Sequence, residues 1–210
     1  MTRGPFIVFE GGEGTGKSVQ VAMLAAKLKA VATREPGGTP FGEVIRHVVL
    51  SPDSPSAGAR AEALAIAAAR AQHVVEVIRP AIERGQAVIC DRYIHSSLAY
   101  QGSGRAIGEL GVAAINSFAV DGVLPDLVVL LCVSEQAAKD RRTDRAVDDR
   151  FERELDTFHK TVNDAFDRYA QGEDPFDCQW LVVRSDAPPD QVHALVCAGI
   201  QERLGIEVGP

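Results

Sequence analysis

Cysteine is scarce in this chain and never paired. Cys90, Cys132, Cys178 and Cys197 are scattered through 210 residues, with no CxxC among them. That argues against a disulfide framework and a zinc site, and leaves reduced thiols in a reducing compartment. Positive charge is also short: 22 Lys and Arg stand against 29 Asp and Glu, a formal net charge of −7. General nucleic-acid and membrane-surface binders present basic faces, so those classes are disfavoured. A small phosphorylated ligand needs only a few local cations and stays open. No apolar run approaches the roughly 20 residues that cross a bilayer. The segment MTRGPFIVFEGG carries no apolar core of a signal peptide. The expected location is therefore cytoplasmic. There is no internal repeat, no low-complexity segment and no compositional break. The expectation is one domain over 1–210, long enough for a sizeable core.

What is present is an alternation of strand-like and helix-like segments. The segments 5–10, in which FIVF is continuously apolar, and 127–133 read as strands buried on both faces. Shorter strands are expected at 31–33, at 87–90 ending on Asp91, and at 180–183. Helices are expected at 17–30, 41–50 with Pro40 at the start, 59–83 with a possible kink at Pro80, 107–120, 151–170 and 189–204. A polar, Pro-rich connection spans 51–58, and 135–146 is densely charged. Strands alternating with helices predict an α/β fold with a parallel sheet.

The first strand runs into Gly11-Gly12-Glu13-Gly14-Thr15-Gly16-Lys17-Ser18, which fits G-x-x-x-x-G-K-[ST]. A buried strand before it and a helix after it are the context that this phosphate loop requires. Glycines turn backbone N–H groups toward an anion, and the helix points its positive end at the same place. Lys17 adds a charge for the β- and γ-phosphates, and the Ser18 hydroxyl is placed to ligate Mg²⁺. The site is one for a nucleoside triphosphate such as ATP. A GTPase would need a base-reading N-K-x-D segment, which the chain lacks. A short chain with a second charged site points to a small kinase.

That second site begins at Asp91-Arg92. A carboxylate at a strand end commonly holds Mg²⁺ in phosphate-loop proteins, although Asp91 could instead cap a helix and pair with Arg92. Arg34, in TREPGGT, is either a phosphate clamp or a surface arginine beside a turn. Arg70 sits in the apolar helix ALAIAAAR, and a buried arginine requires a carboxylate or a ligand. Ile66 lies one turn earlier on the same face, so the pair could offer an apolar wall and a donor to a planar base. Arg141, Arg142 and Arg145, with Asp149-Arg150-Phe151-Glu152, read as a solvated charged stretch or as a lid carrying cations for a moving phosphoryl group.

The segments FEGGEGTGKS, TREPGGTPFGEVIR, AARAQHVVEVIRPAI, CDRYIHSSLAYQG, LPDLVVLL and DRFE fall in the order seen in bacterial thymidylate kinases, and the chain resembles that family over nearly its whole length. The resemblance implies a three-layer phosphate-loop kinase fold, with a five-stranded parallel sheet, flanking helices and a short lid at about 138–150. It implies phosphorylation of dTMP by ATP with Mg²⁺, and a homodimer. Roles follow where residues match. Lys17 and Ser18 would hold ATP phosphates and Mg²⁺, and Glu13 would lie near the sugar 3′-hydroxyl. Arg34 and Arg92 would hold the acceptor phosphate, and Arg70 would donate to the pyrimidine carbonyl. Tyr100 would pack on the deoxyribose, with Ser96, Ser97 and Gln101 completing the base pocket. Gly14 stands where some branches carry an arginine, so Arg141, Arg142 or Arg145 would serve from the lid. Two departures alter the base pocket. Ile66 replaces the usual stacking phenylalanine, and Ala69 a common aspartate. Another deoxypyrimidine monophosphate, a 5-modified one among them, is therefore the alternative acceptor, and a binding module without turnover is a third reading.

Overall fold

The computed structural model describes residues 3–134, 136–138, 141 and 149–208. Five strands form one sheet: β1 (Phe6–Glu10), β2 (Val31–Arg34), β3 (Val88–Asp91), β4 (Leu127–Cys132) and β5 (Trp180–Arg184). Their order is β2-β3-β1-β4-β5, and every neighbouring pair is parallel. Successive side chains of a strand alternate between faces. Ile7, Phe9, Ile89, Val129 and Leu131 pack on one side, while Phe6, Val8, Val88 and Cys90 pack on the other. Both faces are covered at the centre, so Phe6–Phe9 of β1, Val88–Cys90 of β3 and Leu127–Cys132 of β4 are apolar at every position rather than at alternate ones.

The main helices among the described residues are α1 (Lys17–Leu28), α2 (Pro40–Leu50), α3 (Ala59–His73), α4 (Ile94–Ser97), α5 (Glu109–Val120), α6 (Asp156–Arg168) and α7 (Pro189–Leu204), with a short helical segment at Arg79–Glu83. Val21, Leu24 and Ala25 of α1 join Val192, Val196 and Ile200 of α7 on one face of the sheet. On the other, Phe158, Val162 and Phe166 of α6 pack with Val128, Leu130 and Trp180. β1 sits centrally, between β3 and β4, and α1 follows its carboxyl end. In open parallel sheets this edge is where ligands bind.

Several expected boundaries move, for local reasons. The helix expected at 151–170 begins at Asp156. The Asp149 carboxylate accepts the N–H groups of Phe151 at 2.9 Å and Glu152 at 3.0 Å, committing them to a turn. The segment expected as a helix over 59–83 contains a wide π turn at Val74–Ile78 and resumes at Arg79–Glu83. Pro80 has no N–H to give, and the irregularity lies in the turn before it. β2 extends one residue further than expected, to Arg34. The sequence assigned no helix to 94–104, yet α4 and its π continuation Leu98–Gly104 lie there. His95, fully buried, fastens α4 to the Asp174 carboxylate at 3.0 Å. Most of the segment 138–150, expected as a lid, lies outside the described residues.

Candidate active site

The phosphate loop leaves β1 at Glu10 and enters α1 at Lys17. Gly11, Gly14 and Gly16 take φ of +135°, +76° and +88°. At Gly11 a Cβ would lie 2.4 Å from the Leu131 carbonyl oxygen, so only glycine fits there. The Lys17 ammonium folds back into the loop. It donates to the carbonyls of Gly11 at 3.0 Å and Gly12 at 2.7 Å, and to Thr15 Oγ1 at 3.2 Å. Burial, with Arg92 nearby, lowers its pKa to about 8. Ser18 Oγ donates to Asp91 Oδ2 at 2.6 Å, so the hydroxyl and the strand-end carboxylate meet although they are far apart in sequence. Hydroxyl and carboxylate oxygens are the hard donors that Mg²⁺ accepts, and Mg²⁺ takes few protein ligands beside phosphates and water. The pair fits that ion.

Arg92 follows β3 with φ +71°, its N–H bonded to the Phe9 carbonyl at 2.9 Å. This backbone turn aims the guanidinium at the phosphate loop. Nη1 donates to the Gly11 carbonyl and to Ser96 Oγ, both at 3.1 Å. Nη2 donates to Tyr100 OH at 3.1 Å and pairs with Glu13. Tyr100 OH donates in turn to Glu13 Oε1 at 3.0 Å. Burial raises the Glu13 carboxyl, but Arg92 and Lys17 overcome it and hold the pKa at about 2. Burial pushes the Tyr100 phenol up, so it stays protonated. Glu10, fully buried at the end of β1, completes the group. It accepts the N–H groups of Tyr93 at 2.9 Å and Ser96 at 3.1 Å, and the Ser96 hydroxyl at 2.6 Å. Its burial raises its pKa.

A cavity of about 590 Å³ runs from this cation centre past Arg70 to Ile66 and Gln101. Arg70 is 1% exposed, and a carboxylate is among its partners. Nε donates to Glu35 Oε2 at 2.6 Å, Nη1 to Ser97 Oγ at 3.0 Å and to Asn116, and Nη2 to the Tyr93 carbonyl at 3.0 Å. Glu35 also bonds His73 Nδ1 at 2.9 Å, and His73 Nε2 bonds Thr33 Oγ1 at 2.6 Å. The network fixes the guanidinium plane while leaving it on the cavity wall. Ile66, 5% exposed, supplies an apolar surface beside it. Ser96, Ser97, Tyr100 and Gln101 also reach this wall, because the wide π turn follows α4 there.

Arg34 lines the same cavity but is half-exposed, and it is paired with Glu43 at 2.9 Å. Arg141 lies on the opposite side of the phosphate loop. It donates to the Gly14 carbonyl at 3.2 Å and the Ser185 carbonyl at 2.7 Å, and borders a second cleft of about 480 Å³ between the loop and α7. Arg142 and Arg145 lie outside the described residues. Sequence reasoning gave no role to Glu10, Arg46, Glu62, Asp149 or the Glu35 carboxylate. Arg46, on α2, lines the cavity and donates to the Pro36 carbonyl at 2.9 Å. Burial lowers its pKa. Asp149 lines the cavity too, with its carboxyl raised by burial. The only sequence signal for Glu10 is a charge ending an apolar run.

The pattern of the family described as thymidylate kinase matches residues 9–196. A thymidylate kinase of Halothermothrix orenii is 43% identical over 199 residues, covering 91% of this chain and 93% of that protein. One of Bradyrhizobium is 43% identical over 210 residues, covering 96% and 92%. The crystal structure of thymidylate kinase from Ehrlichia chaffeensis superposes with a TM-score of 0.76 at 28% identity, covering 95% of this chain and 100% of that one. The family match begins in β1, spans the phosphate loop and the Arg70 cavity and ends within α7, and the chain belongs to the thymidylate kinase family.

Proposed function

We propose that the protein transfers the γ-phosphoryl group of ATP to the 5′-phosphate of dTMP, giving dTDP and ADP. Kinase activity on thymidylate is the activity its relatives are named for. The observation that carries the reading onto this chain is one cavity that joins Lys17 and Arg92 at one end to the buried Arg70 at the other. A nucleoside monophosphate has this layout, with a dianion at one end and a planar hydrogen-bonding base at the other.

Each role follows from placement. Lys17 and the loop N–H groups hold the triphosphate, and the cleft beside Arg141 takes its nucleoside. Ser18 and Asp91 hold Mg²⁺, which neutralises phosphate charge. Arg92 and Arg34 bind the acceptor phosphate, and Arg92 is already oriented by Ser96, Tyr100 and Glu13. Glu13 accepts from the sugar hydroxyl, and Tyr100 bounds the sugar. Arg70 donates to a base carbonyl against Ile66, with Ser97 and Gln101 alongside. Phosphoryl transfer gains mainly from positioning and from charge stabilisation on the moving group. Arg92, Lys17 and one of Arg141, Arg142 and Arg145, from the segment 138–150 read as a lid on this single domain, supply that charge.

The reading extends to assembly and location. Leu110 and Phe118 of α5 are 84% and 89% exposed, and Leu64 of the adjoining α3 is 56% exposed. An apolar face of this kind suits a homodimer. Reduced cysteines and a deoxynucleotide substrate suit the cytoplasm. Incubation with ATP, Mg²⁺ and dTMP should yield equimolar dTDP and ADP, and chelation of the metal should stop both. ATP bound without either product would contradict the reading.

A further inference from the structure

One buried carboxylate, bonded to Gln101 of the cavity wall, has no part in phosphoryl transfer. Glu62 lies in the first turn of α3 and is 4% exposed. A carboxylate so buried requires hydrogen-bond donors. Gln101 Nε2 donates to its Oε1 at 3.0 Å. Arg105 donates through Nε to Oε1 at 3.3 Å and through Nη2 to Oε2 at 3.4 Å. Arg105 is itself held in place. It pairs with Glu154, and its guanidinium lies 5.4 Å from the Phe151 ring and 5.0 Å from the Phe158 ring.

The chemistry of the pair dictates an orientation. An ionised carboxylate only accepts hydrogen bonds, whereas a glutamine amide has one donating and one accepting end. Gln101 must therefore turn its NH₂ to Glu62. Its Oε1 is left as the end available to the cavity that Gln101 lines, and no described residue donates to it. Arg70 brings only donors to the same cavity. A pyrimidine with a C4 carbonyl and an N3–H meets that combination with a complementary acceptor and donor. Cytosine carries an amino group and a bare N3, and opposes both.

We propose that Glu62 is a positioning residue for the acceptor base: anchored by Arg105, it locks the Gln101 amide so that its oxygen faces the N3–H of thymine. This rests on the reading of the cavity as the dTMP pocket. Glu62→Gln tests it with little change of shape. The new amide must turn a donor toward either Arg105 or Gln101, so the Gln101 orientation is no longer dictated. The KM for dTMP should rise about five- to tenfold, the cost of one misdirected hydrogen bond, while kcat stays within about twofold. In a Gln101→Met background the same substitution should change KM by less than about twofold, because the amide it orients is gone. Arg105→Lys loosens the anchor and should move KM the same way, with the same dependence on Gln101. It serves as the second variant should Glu62→Gln fail to fold.

An equal KM increase in both backgrounds would show that Glu62 acts through general packing and would overturn the proposal. So would an unchanged KM in the folded single variant. Absence of dTMP phosphorylation by the unsubstituted protein would instead overturn the underlying reading, and is recognised before any variant is made.

Discussion

Replacing Arg92 with alanine should impair catalysis and release a buried carboxylate at the same time. Arg92 donates to Gly11, Ser96, Glu13 and Tyr100, and its side chain is only 14% exposed. Glu13 is held at about 2 rather than 4.5 against its own burial. At about 1.4 kcal/mol per pH unit, that difference is worth about 3 kcal/mol. The lowered carboxyl contributes this stability in full above pH 4.5 and loses it as pH falls toward 2. In Arg92→Ala the largest lowering influence is gone and Lys17, Tyr100 and His159 alone oppose the burial cost, so the Glu13 pKa rises and much of the contribution is lost. Loss of a preorganised cation at the acceptor phosphate should lower kcat by about 10²–10³. The assay is steady-state turnover of dTMP from pH 4.5 to 8, paired with thermal unfolding over the same range. The variant should be slow throughout, with an acid limb in kcat/KM for dTMP that the parent does not show above pH 4.5. A rate within about threefold of the parent, or the same pH profile in both proteins, would refute Arg92 as the clamp and Glu13 as its partner.

Other expectations follow from the same geometry. Lys17 has a pKa of about 8 in the free protein and binds phosphate as the ammonium, so kcat/KM for ATP should fall above pH 8. Its lowered pKa also means that stability rises as pH climbs from 8 toward 10.5, so activity and stability should move in opposite directions. A flat kcat/KM to pH 9.5 would contradict this. Ile66→Phe adds a stacking ring to the base wall and should lower the KM for dTMP about fivefold, reflecting about 1 kcal/mol of aromatic contact. A higher KM would show that the wall is shaped around isoleucine. Phe118→Glu puts a charge on the exposed face of α5 and should convert a dimer to monomers in light scattering, while an unchanged mass would move the interface elsewhere.

The phosphate loop and the five strands were legible because their signals are local. FIVF and LVVLL are apolar at every position since both faces of the sheet are covered, and the glycines of the loop announce its positive φ. The requirement of Arg70 for a partner was legible too, but the partner's identity was not. Glu35 and Asn116 lie 35 and 46 residues away and meet it only in the fold. The helix after β3 escaped for a related reason. Its first amides, at Tyr93 and Ser96, are bonded by Glu10, a carboxylate from another strand, so nothing beside the helix in sequence marks its start. Gln101 was assigned to the base pocket, whereas Glu62 and Arg105, which orient it, lie on separate elements and carry no motif. The helix expected from 151 starts late because Asp149 takes up the amides that would have opened it.

A kinase whose cavity reads a pyrimidine with a C4 carbonyl should rank acceptors by their bases. The most direct measurement is kcat/KM for ADP release with Mg²⁺ and ATP across dTMP, dUMP, 5-hydroxymethyl-dUMP, dCMP, UMP, CMP and AMP. dTMP should rank first, dUMP next among the unmodified nucleotides, and dCMP, CMP and AMP far below. A preference for dCMP or AMP, or no turnover with any acceptor while ATP binds, would contradict this reading.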